Sequence, residues 1–193
     1  MAALQLIVGL GNPGERYVHT RHNIGFWFID AMLTAAHGQL KFESKFQGEL
    51  GKLDCQGETI WVLKPRTFMN LSGDSVAAVC HYYQIDIGEC LVVHDDLALP
   101  VGEIRVKRGG GHGGHNGLRH ISERMGDQFM RLRMGIGHPG QKEMVTPHVL
   151  NAPELAEQQQ LMHAVKAAVE NLPLMLKGDW DSVMRRLHSR KAQ

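Results

Sequence analysis

The apolar positions of this 193-residue chain follow two periods, and the switches between them mark its elements. Leu4–Leu10 is an unbroken apolar run ending in Gly11-Asn12-Pro13-Gly14, which predicts a strand buried on both faces and then a tight loop. Ile24–Ala36 sets Phe28, Ile29, Met32, Leu33 and Ala36 at helical spacing before Gly38. Two strand-like runs, Gly48–Asp54 and Thr59–Lys64, flank Gln56-Gly57 and predict an antiparallel hairpin. Ser72–Gln84 is again helical, and Cys90–Val93 is a second buried strand ending at His94-Asp95-Asp96. Glu103–Lys107 and Arg131–Ile136 alternate as strands do, with a short helix over Gly117–Met125 between them. A long amphipathic helix follows, with Asn151 as its expected N-cap and apolar positions from Leu155 to Leu172, and a last short helix covers Asp181–Leu187. Strands alternating with helices, plus one hairpin, predict a single α/β domain over residues 1–193, a twisted mixed β-sheet flanked by helices.

Composition narrows the class. With 43% hydrophobic and 21% charged residues, and no apolar run near the roughly 18 that a membrane span requires, the chain reads as a globular enzyme with no membrane partner. Its start has no basic segment ahead of the first strand, so no secretory signal and a cytoplasmic location are expected. Cys55, Cys80 and Cys90 lack C-x-x-C spacing and read as reduced apolar residues rather than a disulfide framework or zinc knuckle. The net charge is only +1, but residues 103–133 carry seven Lys/Arg against three acids, a local +4 that leaves −3 for the remainder. A basic patch on a near-neutral chain predicts a polyanion such as RNA held at one place; the basic tail Arg185, Arg186, Arg190, Lys191 adds to it.

Within that segment, Gly109–Gly117 packs six glycines around His112, His115 and Asn116. Glycine at this density is explained by positive φ or by close approach of a ligand, and predicts a mobile flap beside an anion. A flexible linker is the plain alternative, but linkers seldom carry a His-Asn pair that runs straight into a helix.

Candidate chemistry collects at the expected carboxyl ends of strands: Asn12, His22-Asn23, Asn70, Asp95 and His115-Asn116. Histidines, an aspartate pair and asparagines, with no Ser in G-x-S-x-G and no candidate Cys beside a His in these clusters, suit activation of water against an ester or amide. In that chemistry a histidine takes the proton, a carboxylate fixes its tautomer, and asparagines donate to the developing oxyanion. Two rivals use the same residues. Gly9-Leu10-Gly11-Asn12-Pro13-Gly14 satisfies a dinucleotide-binding pattern, but the helix starts only at Ile24 and no acid closes a second strand. A metal site from His94, Asp95, Asp96, His112 and His115 would rest on a floppy glycine run.

Five motifs in order, Val8-Gly9-Leu10-Gly11-Asn12-Pro13-Gly14, Thr20-Arg21-His22-Asn23-Ile24-Gly25, Lys64-Pro65-x-x-Phe68-Met69-Asn70-x-Ser72-Gly73, His94-Asp95-Asp96-Leu97 and Gly109–Gly117, closely resemble bacterial peptidyl-tRNA hydrolase, with Arg131–Pro139 as a sixth. The resemblance implies a monomeric esterase without metal or cofactor that frees the peptide from the 3′-terminal ribose of tRNA dropped off the ribosome. It implies His22 as general base, Asp95 as the carboxylate that stabilises its protonated form, and Asn12 as the residue that tells a blocked peptidyl group from a free aminoacyl one. By the same likeness Tyr17, Phe68, Asn70 and Asn116 hold the 3′ end and peptide, Met69 lines the cleft, and His115 supports it. The flap of Gly109, Gly110, Gly111, His112, Gly113 and Gly114 gates the cleft, and Arg105, Lys107, Arg108 and Arg133 grip acceptor-stem and terminal phosphates. Arg105 stands where the family's best-known members have lysine, and Asp96 where they have glutamate; charge is kept in both.

Overall fold

The N-terminal apolar run becomes the middle of the sheet in the computed structural model, which describes residues 3–190. Among these residues seven strands, β1 (Leu6–Gly9), β2 (Lys41–Glu43), β3 (Gly48–Cys55), β4 (Glu58–Pro65), β5 (Cys90–Asp96), β6 (Ile104–Arg108) and β7 (Met130–Gly135), form one sheet in the order β2-β3-β4-β1-β5-β7-β6. The central four, β4, β1, β5 and β7, are parallel, while β2, β3 and β6 pair antiparallel toward the edges. Buried on both faces, β1 and the first half of β5 read as continuous apolar runs. The hairpin turns at Gln56-Gly57, both at positive φ, with the Gly57 N–H donating to Asp54 at 2.8 Å.

Helices α1 (Ile24–Ala36), α5 (Leu155–Glu170), α6 (Leu172–Leu176) and α7 (Trp180–His188) share one core with one face of the sheet. Helices α2 (Ser72–Tyr83) and α3 (Asn116–Met125) cover the other, and α4 (Val145–Val149) lies near the carboxyl end of β7. Alternation sends Leu91 and Val93 of β5 into the first core and Cys90 and Val92 into the second. The strands therefore point their carboxyl ends the same way, where a ligand crevice forms in open α/β sheets.

Two glycines seat α1 on the sheet. A Cβ on Gly25 would lie 2.4 Å from the Leu10 nitrogen and 2.5 Å from the Val93 oxygen, and one on Gly9 would lie 2.4 Å from the Gly25 oxygen. The G-x-G-x-x-G pattern is thus explained by close packing of a strand against a helix start, which removes the main reason for a dinucleotide reading.

Some expected boundaries move. β5 runs on through His94, Asp95 and Asp96, so the acidic pair is fixed within a strand rather than in the loop after it. The long C-terminal helix starts at Leu155 with Glu154 at its N-cap, not Asn151, whose carbonyl instead accepts from the Arg21 backbone N–H at 3.1 Å. It also stops at Glu170: Pro173 has no N–H to continue the ladder, so Leu172 begins a separate turn, α6. Neither β2, three residues long, nor α4, five residues long, carries a readable period. The tail residue Lys191 lies outside the described residues.

Candidate active site

The imidazole of His22 and the carboxylate of Asp95, 73 residues apart in sequence, meet at the end of β5. His22 sits on a single 3-10 turn, Arg21–Asn23, that leads into α1, and its Nδ1 lies 2.9 Å from both oxygens of Asp95. Both groups are buried, at 8% and 3% exposure, so the contact is poorly screened. With Nδ1 committed to the carboxylate, Nε2 is the nitrogen left to accept a proton. Burial pulls the His22 pKa down, but the Asp95 charge and hydrogen bond outweigh it and leave it above the ordinary histidine value. Burial would likewise raise Asp95, but the two imidazoles on it hold its carboxyl far below the usual range.

The second imidazole is His115, whose Nε2 lies 2.8 Å from Asp95 Oδ1. His115 is the N-cap of α3: its Nδ1 accepts from the backbone N–H groups of Gly117 at 3.1 Å and Leu118 at 3.3 Å. Those donors oblige Nδ1 to stay unprotonated, so Nε2 carries the proton and donates to Asp95. The donor atoms of His22, Asp95 and His115 lie within 4.8 Å of one another, a spacing that suits a cation. Here each of them already serves one of these hydrogen bonds, and a metal on His115 Nε2 would force a proton onto Nδ1 against the helix N–H groups. The alternative cluster of His94, Asp95, Asp96, His112 and His115 is not assembled: His94 Nδ1 donates to the Asp95 carbonyl at 2.7 Å, and His112 Nδ1 accepts from Gly114 on the exposed flap.

Asn12 is held from three sides. Its N–H donates to Asn23 Oδ1 at 2.9 Å, its carbonyl accepts from Asn23 Nδ2 at 2.9 Å, and its Oδ1 accepts from the Met69 N–H at 2.7 Å. Only the Nδ2 of its amide is left over. Met69 is buried and lies against Gly117, where a Cβ would meet its sulfur at 2.7 Å, which joins the Asn12 side of the site to the start of α3. Phe68, at 57% exposure, and Asn70 stand on the surface beside it, and Asn116 accepts from Arg119 at 2.7 Å.

A cavity of about 630 Å³ opens from the His22–Asp95 pair and is lined also by Lys107, Arg131, Arg133 and Lys142 and by the Gly111–Asn116 segment. No serine or cysteine lines it among the described residues. Strand alternation explains the cationic wall: Met130, Leu132 and Met134 go to the α1-side core, so Arg131 and Arg133 face the other way, register-paired with Lys107 and Arg105 of β6. Arg133 is matched by Asp96 at 2.7 Å. Not every expected residue converges here. Arg105 is tied to Glu103 at 2.6 Å and to the His188 carbonyl at 2.9 Å, and Arg108 reaches Gly88 and Gln128 carbonyls at the far end of β6. Tyr17, on its own 3-10 turn under Arg16, does not line the cavity either.

Three contributors had no such role in the reading of the sequence, although Asn23 stood in the His22-Asn23 cluster and Arg131 in the basic segment. Asn23 clamps Asn12; buried Arg21 donates to the His148 and Asn151 carbonyls and pairs with Glu157, fixing the α4 wall beside the base; and buried Arg131 holds the flap, with its Nη atoms on the carbonyls of Gly111 and Gly110 at 2.6 and 2.5 Å. Only Asn23 had a usable signal, its place beside His22 ahead of a helix.

The fold and an imidazole–carboxylate pair unaccompanied by a side-chain nucleophile define an α/β protein of hydrolytic type. The model of the peptidyl-tRNA hydrolase family matches residues 6–193. The peptidyl-tRNA hydrolase of Azotobacter vinelandii is 48% identical over 194 residues, covering all of both chains, and that of Halorhodospira halophila 46% identical over 96% of each. The crystal structure of peptidyl-tRNA hydrolase from Acinetobacter baumannii superposes with a TM-score of 0.97 at 43% identity, covering 100% of this chain and 98% of that one. The chain belongs to the peptidyl-tRNA hydrolase family.

Proposed function

We propose that this protein hydrolyses the ester bond between the peptide and the 3′-terminal ribose of peptidyl-tRNA, with water activated at His22. The observation that carries the reading is the buried 2.9 Å His22–Asp95 contact in a cavity that Lys107, Arg131 and Arg133 also line. His22 Nε2 takes a proton from water as its oxygen attacks the ester carbonyl, and Asp95 offsets the charge of the imidazolium. The tetrahedral oxyanion collapses, the ribose 3′-oxygen leaves, and the proton returns to it. A positioned base of this kind supplies roughly 10²–10⁴-fold, and an oxyanion donor such as the free Asn12 Nδ2 about 10²–10³-fold.

Asn12, Asn70 and Asn116 offer amides to the peptide and the 3′ end, and the flanking Phe68 and Tyr17 offer aromatic faces for bases. Lys107 and Arg133 are the cations placed to meet phosphate, with Arg105 and Arg108 farther along the same strand. Action as a cytoplasmic monomer is part of this reading and rests on the family resemblance; among the described residues no helix is long and apolar enough to cross a membrane. The test is single-turnover cleavage of an N-acylated aminoacyl-tRNA with and without chelator. Fast cleavage in chelator is expected; binding without cleavage would make the protein an RNA-binding module, and loss of cleavage in chelator a metallohydrolase.

A further inference from the structure

Arg131 is a buried charge without an ion-pair partner among the described residues. It is 2% exposed, no carboxylate lies within ion-pair distance of it among the described residues, and its Nε has no hydrogen-bond partner. Its neighbours on the same sheet face are cations, Lys107 directly opposite and Arg133 two residues on, and its remaining contact is the face of Phe129 at 4.6 Å. A buried charge is costly unless paired. Here the guanidinium has only neutral acceptors, the carbonyls of Gly110 and Gly111, both drawn down from the flap.

Those carbonyls are replaceable. A planar guanidinium bonds a phosphate through two parallel contacts in which the acceptor as well as the donor is charged, a match of geometry and charge that two separate carbonyls do not offer. Gly111 through Gly114 are exposed and Gly110 is half-buried, so the segment that carries the two carbonyls borders solvent. Lys107 Nζ is packed against Gly110, where a Cβ would meet it at 2.7 Å, which places a second cation beside the same two carbonyls.

We propose that Arg131 is an anion-exchangeable latch: two oxygens of an incoming phosphate take the place of the Gly110 and Gly111 carbonyls on its guanidinium, and seating of the polyanion thereby frees the glycine flap. The proposal rests on the reading of this cavity as the seat of an RNA end, and it adds a coupling that follows from linkage: phosphate gains Arg131 only when the flap lets go, so each shifts the other.

The test uses the full-length protein, labelled with ¹⁵N, and inorganic phosphate at fixed ionic strength, with chloride as the control. Saturating phosphate should lower the heteronuclear NOE of the Gly110–Gly114 amides and shift the Arg131 Nε resonance, whereas chloride should do neither. Arg131→Lys keeps a charge but loses the fork; its flap should be mobile without phosphate, and its phosphate affinity at least about tenfold weaker. Phosphate that binds while the flap NOE stays unchanged would show Arg131 to be a fixed staple, and no binding of phosphate at about 100 mM would remove the seat; either overturns the proposal. The wild-type arm needs no variant to fold. Cleavage of an N-acylated aminoacyl-tRNA by the same sample keeps the hydrolase reading separate, since cleavage with an unresponsive flap refutes the latch alone.

Discussion

At the residue scale the chemistry turns on two opposed effects at His22. Burial alone would keep this imidazole neutral to low pH, and Asp95 reverses that by stabilising the cation. The base must be unprotonated to act, so the acidic limb of kcat/KM should lie above 6.5, the ordinary histidine value. Asp95→Asn removes the charge that raises the pKa and leaves the burial that lowers it; the limb should then fall below 6.5 while kcat drops by about 10²-fold or more. A pH–rate profile of both proteins checks this, and a limb that stays in place would take His22 out of the role of base. His22→Ala should abolish turnover yet leave tRNA affinity within a fewfold, measured by filter binding. Stability runs opposite to activity. Because the folded pKa is raised, the His22–Asp95 pair stabilises the protein fully below the unfolded pKa, and that contribution fades as pH rises through the folded value. His94, driven down to about 4 chiefly by burial, stays neutral throughout this range.

At the element scale the site departs from local rules where it positions chemistry. Asn23 occupies the N-cap position of α1 but makes no capping bond, its amide being given to Asn12; a cap is typically worth about 1 kcal/mol. Histidine is an uncommon N-cap, yet His115 caps α3 and so has its tautomer set for Asp95. Asn23→Ala should accordingly cost more in kcat/KM than in stability, read by comparing initial rates with urea midpoints. Gly25→Ala should do the reverse, since its methyl would press on backbone atoms of Leu10 and Val93 that cannot turn aside; overpacking of about 1–3 kcal/mol or more is expected in urea unfolding. This is also the scale at which the sequence was most and least legible. Longer elements with a clear period, α1, α2 and the hairpin, lie within a residue or two of where periodicity puts them, and the four-residue β1 lies inside the apolar run that marks it. Elements of three to five residues, β2, α4 and α6, hold too few positions to show a period. The residues that clamp the site through side chain to backbone bonds, Arg21, Asn23 and Arg131, serve partners up to 130 positions away, which no local pattern encodes.

At the scale of the whole molecule, the near-zero net charge conceals a cationic wall set by strand register. The alternation of β6 and β7 would place Arg105, Lys107, Arg131 and Arg133 together on one face, a repulsive arrangement unless each is answered. Glu103 answers Arg105 and Asp96 answers Arg133, while Lys107 has no carboxylate in reach among the described residues and lines the cavity. The charge surplus seen in the sequence therefore does not act as a uniform surface, and its members should differ in their effect on tRNA. Lys107→Ala should raise KM and flatten the dependence of log kcat/KM on log salt by about 0.7–0.9, the share of one phosphate contact in counterion release. Arg133→Ala should flatten it less, because the freed Asp96 is left behind to repel phosphate. Arg108→Ala, at the far end of β6 against Gly88 and Gln128, should leave the slope where it was. Equal slopes for all three variants would mean that phosphate is read by the general field of the patch and not by the cavity wall.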